Sequence, residues 1–207
     1  MISKLSSNGT GCLLLANGAL SADGVEYEIR KRIIENDLVE SIIVLPRNMF
    51  YSTDISVTVW VFNKNKKERE IIKNNKKYSY RDRTGEILFI DLRQKGHPYE
   101  KKYIEFTKED RDKIVDLYHT WQTKDYFSKF SNIKELCFGA KKEDILQNDY
   151  SLITSKYIEF EKFEEDHDIN AEIEEKLQLL SEASSKENES KKILQDVLNR
   201  MGYNVKL

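Results

Sequence analysis

Three short, nearly continuous apolar runs, at 12–16, 38–45 and 55–62, constrain the fold of this chain more than anything else in it. The second and third are rich in Val and Ile. Runs this short and unbroken are how strands buried on both faces of an α/β sheet read; a strand with one wet face would alternate. Between the first two lies 25–35, where Val25, Ile29, Ile33 and Ile34 fall on one helical face and Asn36-Asp37 ends the pattern. The order strand–helix–strand makes the first two strands a parallel pair through a right-handed crossover. The link 46–54 has no helical period, which places the third strand antiparallel at the sheet edge.

Beyond residue 63 the composition shifts. Residues 64–86 are rich in Lys, Arg and Asn (Lys64-Asn65-Lys66-Lys67, Asn74-Asn75-Lys76-Lys77) and read as a surface excursion, either a solvated connector or a loop that contacts DNA. Residues 87–91 are a further strand candidate. Thr107, with Asp110 at the reciprocal position, caps a helix whose buried face is Ile114, Leu117, Tyr118 and Trp121. Aromatic residues recur through 126–138 without strong periodicity. From 169 to 201 there is no Gly or Pro, and charge is dense. Ile173, Leu177 and Leu180, then Ile193, Val197 and Leu198, mark apolar stripes at helical spacing. Ala183-Ser184-Ser185 interrupts them, so the segment reads as two helices or one broken helix, ended by Gly202. A helix this polar needs a surface for its stripe, either the protein's own body or another subunit.

Several chemistries are excluded. With 34 basic and 36 acidic residues the net charge is −2, which argues against a protein held on nucleic acid by bulk electrostatics, though not against a local basic patch. No apolar stretch approaches the roughly 20 residues of a membrane span, and the first residues lack the apolar run of a signal peptide. Cys12 and Cys137 sit among apolar neighbours and read as buried thiols in a reducing cytoplasm. His97, His119 and His167 give no zinc-ligand spacing with them. There is no G-x-S-x-G elbow and no Walker A loop. Pro46 and Pro98 are the only prolines, so no Pro-Pro motif exists. Gly9-Thr10-Gly11 has the look of a ligand loop, but such a loop follows a buried strand and opens a helix. Here 3–8 is polar and an apolar run follows the glycines, so a tight turn into a strand is the reading.

Two blocks carry a resemblance. Leu13-Leu14-Leu15-Ala16-Asn17-Gly18-Ala19-Leu20-Ser21 is followed by Glu28-Ile29-Arg30-Lys31. Then Ile42-Ile43-Val44-Leu45-Pro46-Arg47-Asn48-Met49-Phe50-Tyr51-Ser52-Thr53-Asp54-Ile55 leads to Trp60-Val61-Phe62-Asn63-Lys64. They resemble the M subunit of type I restriction–modification systems, whose adenine-N6 methyltransferase domain carries a similar block late in its sequence. The resemblance continues through Arg83-Thr84-Gly85-Glu86-Ile87-Leu88-Phe89-Ile90-Asp91-Leu92-Arg93, Phe106-Thr107, Tyr118-His119-Thr120-Trp121 and Cys137-Phe138, to Ile145 and Tyr157. The blocks arrive in family order. Ser56 departs from the pattern, since the family usually has proline there.

The resemblance implies an α/β fold: the C-terminal half of a Rossmann-like class I methyltransferase sheet, beginning near its fifth strand, followed by an α-helical C-terminal region. The implied boundaries are 1–100 for the methyltransferase part, 101–165 for a mixed helical extension and 166–207 for a helical assembly segment. Met1 is then an internal methionine of a parent chain or the start of a truncated gene. The complete family enzyme binds S-adenosylmethionine at a glycine-rich loop and holds the target adenine at an Asn-Pro-Pro-Phe/Tyr motif. This sequence has no Asn-Pro-Pro, so no catalytic, cofactor-binding or metal residue is assigned to it. What remains is a pocket wall: Phe50 and Tyr51 are candidates for stacking on an extruded adenine, with Phe50 as a core plug the competing role. Arg47 and Asn48 are candidates for DNA contact, and Asn17 sits where α/β ligands gather, though a turn role suits it better. Leu177, Leu180, Ile193, Val197 and Leu198 are the candidate partner-binding residues. Implied partners are the specificity and restriction subunits and, through the complex, DNA; no membrane is implied and the location is cytoplasmic. Two functions stand: a piece of an adenine-specific DNA methyltransferase, inactive by itself, or a non-catalytic module docking on the specificity subunit from about residue 100 onward.

Overall fold

The apolar runs fold as strands. In the computed structural model, which describes residues 1–73, 75–125, 127–160 and 169–203, β1 (Thr10–Ala16) is followed by helix α1 (Val25–Glu35), β2 (Val39–Val44) and β3 (Val57–Asn63). A hairpin, β4 (Arg69–Lys73) and β5 (Lys76–Tyr80), leads to β6 (Glu86–Asp91). A smaller hairpin, β7 (His97–Tyr99) and β8 (Tyr103–Glu105), precedes α2 (Lys108–Gln122), β9 (Cys137–Lys141) and the short α3 (Lys142–Gln147). The last element is α4 (Ile169–Arg200). The chain divides into two compact units, Met1–Glu161 and Lys162–Leu207.

The large sheet has five strands in the order β1-β3-β2-β6-β9. β2 and β6 are parallel, β3 is antiparallel to both its neighbours, and β9 is antiparallel to β6. The antiparallel sense of β3 agrees with the sequence; its place at the edge does not. β3 lies between β1 and β2, which therefore run in the same direction without being neighbours. The reason is burial on every side. Between two strands Trp60 and Phe62 are each 3% exposed, whereas an edge strand would leave one flank of both in water. The edge falls instead to β1.

Cores form on both faces of the sheet. On one, α1, α3 and the segment around Tyr157 cover Ile42, Trp60, Phe62 and Phe89, with the Phe89 and Tyr157 rings stacked at 4.2 Å. On the other, α2 lays Trp121, Ile114, Leu117 and Tyr118 against Leu88 and Ile90, the face its sequence period marks. Its start is fixed by the Thr107–Asp110 capping box that the sequence shows.

Four further expectations are corrected. α1 does not bury Val25 and Ile29, which are 74% and 52% exposed; its inner face runs through Arg30 and Ile34. The guanidinium of Arg30 donates to the carbonyls of Tyr150 (2.9 Å), Ala22 (2.8 Å) and Ala19 (3.3 Å), so burial leaves its charge hydrogen-bonded. Cys137 is buried but Cys12 is exposed, because it lies on the edge strand. Residues 64–86 are not a plain connector. Residues 69–80 pair as the β4–β5 hairpin, and Lys66 is buried, its Nζ donating to Asp37 (2.5 Å) and to the carbonyls of Val39 and Glu86 (3.0 and 2.7 Å). Finally, α4 is one continuous helix through Ala183-Ser184-Ser185. A loss of apolar period is not a loss of helix propensity, and Ala is the best helix former. It ends as Gly202 predicts: Gly202 has φ +84°, and the N–H groups of Gly202 and Tyr203 donate to the carbonyls of Asn199 and Leu198, a Schellman closure. Among the described residues no helix is long and apolar enough to cross a membrane.

Candidate functional site

In α/β sheets ligands gather outside the carboxyl ends of the parallel strands. A cleft at that end has a volume of about 850 Å³ and is walled by residues that follow β1, β2 and β6. Asn17 and Gly18 come from the turn after β1, Arg47 and Asn48 from the 46–54 loop, and Arg93, Gln94 and Lys95 from the segment after β6. The β7–β8 hairpin supplies Pro98 and Ile104 as the far wall.

The 46–54 loop is held by short-range bonds. The Asn48 N–H donates to the Asp54 carbonyl (3.3 Å), and its own carbonyl accepts from Ile104 N–H (3.0 Å), which ties the loop to the β7–β8 hairpin. Asn48 has φ +58°, a left-handed conformation that Asn tolerates better than most residues. At the position where the resemblance leads one to expect proline, the Ser56 hydroxyl donates to the Leu45 carbonyl (2.5 Å) and clasps the two ends of the loop.

Phe50 and Tyr51 part company. Phe50 is half-buried and packs against the α2-side core. Tyr51 is 74% exposed and meets Tyr103 edge to face, ring centroids 4.6 Å apart. Arg47 is exposed, with Nε donating to the Asp54 carbonyl (3.3 Å) and a loose ion pair to the Asp54 carboxylate (3.8 Å). Asn17 lines the cleft but also opens a short turn of 3₁₀-helix, Asn17–Leu20. Leu177, Leu180, Ile193 and Val197 are exposed on α4, and Leu198 is intermediate.

Sequence reasoning missed Arg93 and Lys95. The Arg93 guanidinium pairs with the buried Asp91 carboxylate (2.7 Å), which pushes its pKa upward, and Asp91 also accepts from the Thr154 hydroxyl (2.9 Å). Lys95 makes no ion pair among the described residues. Lys95 gives the cleft a positive charge, and Arg47 and Arg93, each beside a carboxylate, with the amides of Asn17, Asn48 and Gln94 add donors, a set that suits an anion such as a phosphate.

At the opposite end of the sheet lies a second polar group the sequence did not announce. Glu40 and Arg83 are both fully buried and joined Nε to Oε1 at 3.0 Å. Asn63 donates to the other Glu40 oxygen and Gln122 to the first (3.2 Å). Burial, then the negative charge of Glu40, push the nearby Tyr118 phenol well above its usual pKa. The signal that was available was Glu40 itself, a carboxylate within an apolar strand run, which demands a buried partner.

Gly9-Thr10-Gly11 does not fit the glycine-rich S-adenosylmethionine loop of the family that the resemblance implies. Gly9-Thr10-Gly11 enters strand β1 from a turn in which Gly9 N–H donates to the Ser6 carbonyl (3.0 Å), and no helix follows to aim N–H groups at a ligand. The space beside Gly11 is filled by the Leu5 side chain, 3.3 Å from where a Cβ would stand. Among the described residues no cluster of His, Cys, Asp and Glu is arranged to hold a metal ion.

Comparison with known proteins gives a consistent picture. The model of the N-6 DNA methylase family matches residues 1–166. The type I restriction enzyme HindI methylase subunit of Haemophilus influenzae is 37% identical over 98% of this chain and 42% of its own length. The MjaVII methylase subunit of Methanocaldococcus jannaschii is 34% identical over 90% of this chain and 28% of its own. Among solved structures, the methyltransferase subunit of a type I restriction–modification system from Streptococcus thermophilus superposes with a TM-score of 0.60 at 25% identity, covering 76% of this chain and 28% of that one. The chain thus spans less than half the length of the relatives it matches.

Proposed function

The chain belongs to the N-6 DNA methylase family, and from that membership we propose that it forms part of the methylase subunit of a type I restriction enzyme, the complete assembly transferring a methyl group from S-adenosylmethionine to adenine N6 in DNA. The observation that carries this reading is the cationic cleft at the carboxyl ends of β1, β2 and β6, contiguous with the 46–54 loop. In this reading the cleft walls the DNA side of the active centre. Lys95 and Arg93 neutralise phosphate, the loop shapes the space beside an extruded adenine, and Phe50 supports it from beneath. The methyl donor's cradle and the acceptor for the adenine amino group come from other parts of the methylase. The unpaired edge of β1, with Leu13 and Leu14 at 40% and 51% exposure on its two faces, is where those parts join the sheet; an apolar edge strand is a template for pairing.

The test is reconstitution. Co-expressed with a polypeptide that carries the glycine-rich loop and the Asn-Pro-Pro-Phe/Tyr motif, and with a specificity subunit, this chain supports N6-methyladenine formation in DNA. A complex that forms but transfers no methyl group overturns the reading.

The exposed stripe of α4 supports a second element, an assembly segment in the 166–207 region that docks on the specificity subunit while 1–165 carries the sheet. Helix-on-helix docking uses apolar anchors at three- and four-residue spacing, as at Leu177, Leu180, Ile193, Val197 and Leu198. Leu177→Asp combined with Leu198→Asp is expected to lower co-purification with the specificity subunit and leave the melting of the sheet domain unchanged. Undiminished co-purification removes the claim.

A further inference from the structure

The rim of the cleft carries an exposed aromatic cluster that its walls do not need. Tyr51 projects from the 46–54 loop, and Tyr99 and Tyr103 face each other as the last paired residues of the β7–β8 hairpin. Tyr51 is 74% and Tyr99 39% exposed, and Tyr103 is half-buried. Large aromatic side chains grouped in solvent are uncommon and mark contact surfaces. These three are held where they are. The Ile104 N–H bond to the Asn48 carbonyl (3.0 Å) fixes hairpin to loop, the Tyr51 and Tyr103 rings meet at an interplanar angle of 67°, and the turn between Tyr99 and Tyr103 is closed by Lys102 N–H on the Glu100 carbonyl (2.7 Å). Glu100 and Lys101 stand at φ +47° and +61°, a conformation costly for side chains of their size and found disproportionately at functional sites.

Charge accompanies the rings. Lys101 and Lys102 are exposed on the hairpin turn, with the Lys102 ammonium 5.7 Å from the Tyr103 ring centre, and Lys95 stands below in the cleft. Glu100 and Glu105 are the acids of the hairpin; Glu100 is engaged by the Tyr99 hydroxyl, whose pKa that contact raises. Aromatic faces beside a run of lysines are the arrangement that binds single-stranded nucleic acid, bases on the rings and phosphates on the cations.

We propose that Tyr51, Tyr99 and Tyr103 form a stacking platform for an unpaired base of the DNA strand that passes the cleft, with Lys95, Lys101 and Lys102 holding its phosphates. The platform stands in solvent whereas Phe50 packs into the core, so it takes a base other than one buried for chemistry. The assignment rests on the reading of the chain as a DNA-methylase part. A base needs only a ring face, not a specific hydrogen bond, so the platform tolerates any sequence.

The probe is a short single-stranded DNA oligonucleotide carrying one 2-aminopurine, whose fluorescence is quenched on stacking. The full chain at low salt is expected to bind and quench it. Tyr51→Ala with Tyr103→Ala weakens binding roughly 5- to 150-fold, from the worth of a base–aromatic stack of about 1–3 kcal/mol, and abolishes quenching. Tyr51→Phe with Tyr103→Phe retains both, since the ring faces remain. Lys101→Glu with Lys102→Glu flattens the dependence of affinity on salt. Wild-type chain that leaves the oligonucleotide unbound, Ala variants that bind and quench like wild type, or Phe variants as weak as the Ala ones overturn the platform. So does normal oligonucleotide binding with lost specificity-subunit co-purification in the Ala variants, which reassigns the patch to a protein contact. The methylase reading is judged separately by methyl transfer in the reconstituted complex: transfer without platform binding sinks the platform alone, and absent transfer sinks that reading whatever the oligonucleotide does.

Discussion

Titrated with S-adenosylmethionine, the isolated chain is expected to give no measurable binding heat, and incubated with DNA and labelled cofactor to transfer no methyl group. Methyl transfer needs the cofactor, the adenine amino group and the pocket wall held together in near-attack geometry, an arrangement that supplies about 7–11 kcal/mol of barrier reduction. In the proposed reading only the wall has candidate residues among those described. With Pro46 and Pro98 as the sole prolines the chain contains no Asn-Pro-Pro acceptor. Its one glycine pair near an apolar run turns into a strand, with Leu5 packed where a ligand would lie. A base stacked on an aromatic ring gains about 1–3 kcal/mol, too little to extract and hold an adenine unaided. Micromolar cofactor binding that Gly11→Val abolishes would show that Gly9-Thr10-Gly11 is a cofactor loop after all, and the placement of the chain within the methylase would then be wrong.

Glu40→Ala is expected to destabilise the sheet domain by about 3–5 kcal/mol, the usual cost of removing one partner from a buried pair. That is a large part of the roughly 5–15 kcal/mol by which domains are stable. The loss comes less from the missing attraction than from the Arg83 guanidinium left charged and buried. Arg83 Nη1 keeps the carbonyls of Arg81 (2.6 Å) and Gln122 (3.2 Å), but Nε loses its acceptor and Nη2 has no hydrogen-bond partner among the described residues even in the intact protein. Removing both charges together, as Glu40→Leu with Arg83→Met, is expected to lie closer to wild type than Glu40→Ala alone, because apolar side chains of similar volume carry no desolvation cost. Urea unfolding followed by circular dichroism measures both. A single variant within about 1 kcal/mol of wild type would mean that solvent reaches the Glu40–Arg83 pair.

Much of the architecture was legible. Unbroken apolar runs gave three strands, helical spacing gave α1, the reciprocal Thr107–Asp110 pair located the start of α2, and the antiparallel sense of β3 followed from a link too short in helical period for a crossover. β9 was not legible: Cys137-Phe138-Gly139-Ala140-Lys141 has neither a clean period nor a β-branched residue, and it is a strand because β6 offers it an open edge. The cleft was half legible. Arg47 and Asn48 stood out as loop residues after a strand; Arg93 and Lys95 did not, since nothing local says that the segment after β6 comes to the same end of the sheet.

The sequence by itself determined the strands β1, β2, β3 and β6 and the helices α1 and α2, that the sheet is buried on two faces, and the family from which the chain descends. These are written in patterns a few residues long: period, caps and ordered motif blocks. Only the tertiary structure decided that β3 inserts between β1 and β2, that β1 is left as the edge, that Arg30 rather than Val25 and Ile29 faces the core, and that Tyr51 meets Tyr103 while Phe50 turns inward. Each of these depends on which distant carbonyl, ring or strand edge arrives beside a residue. Strand order and buried polar pairing are non-local, because a strand's own residues specify how much of it must be covered and not by what.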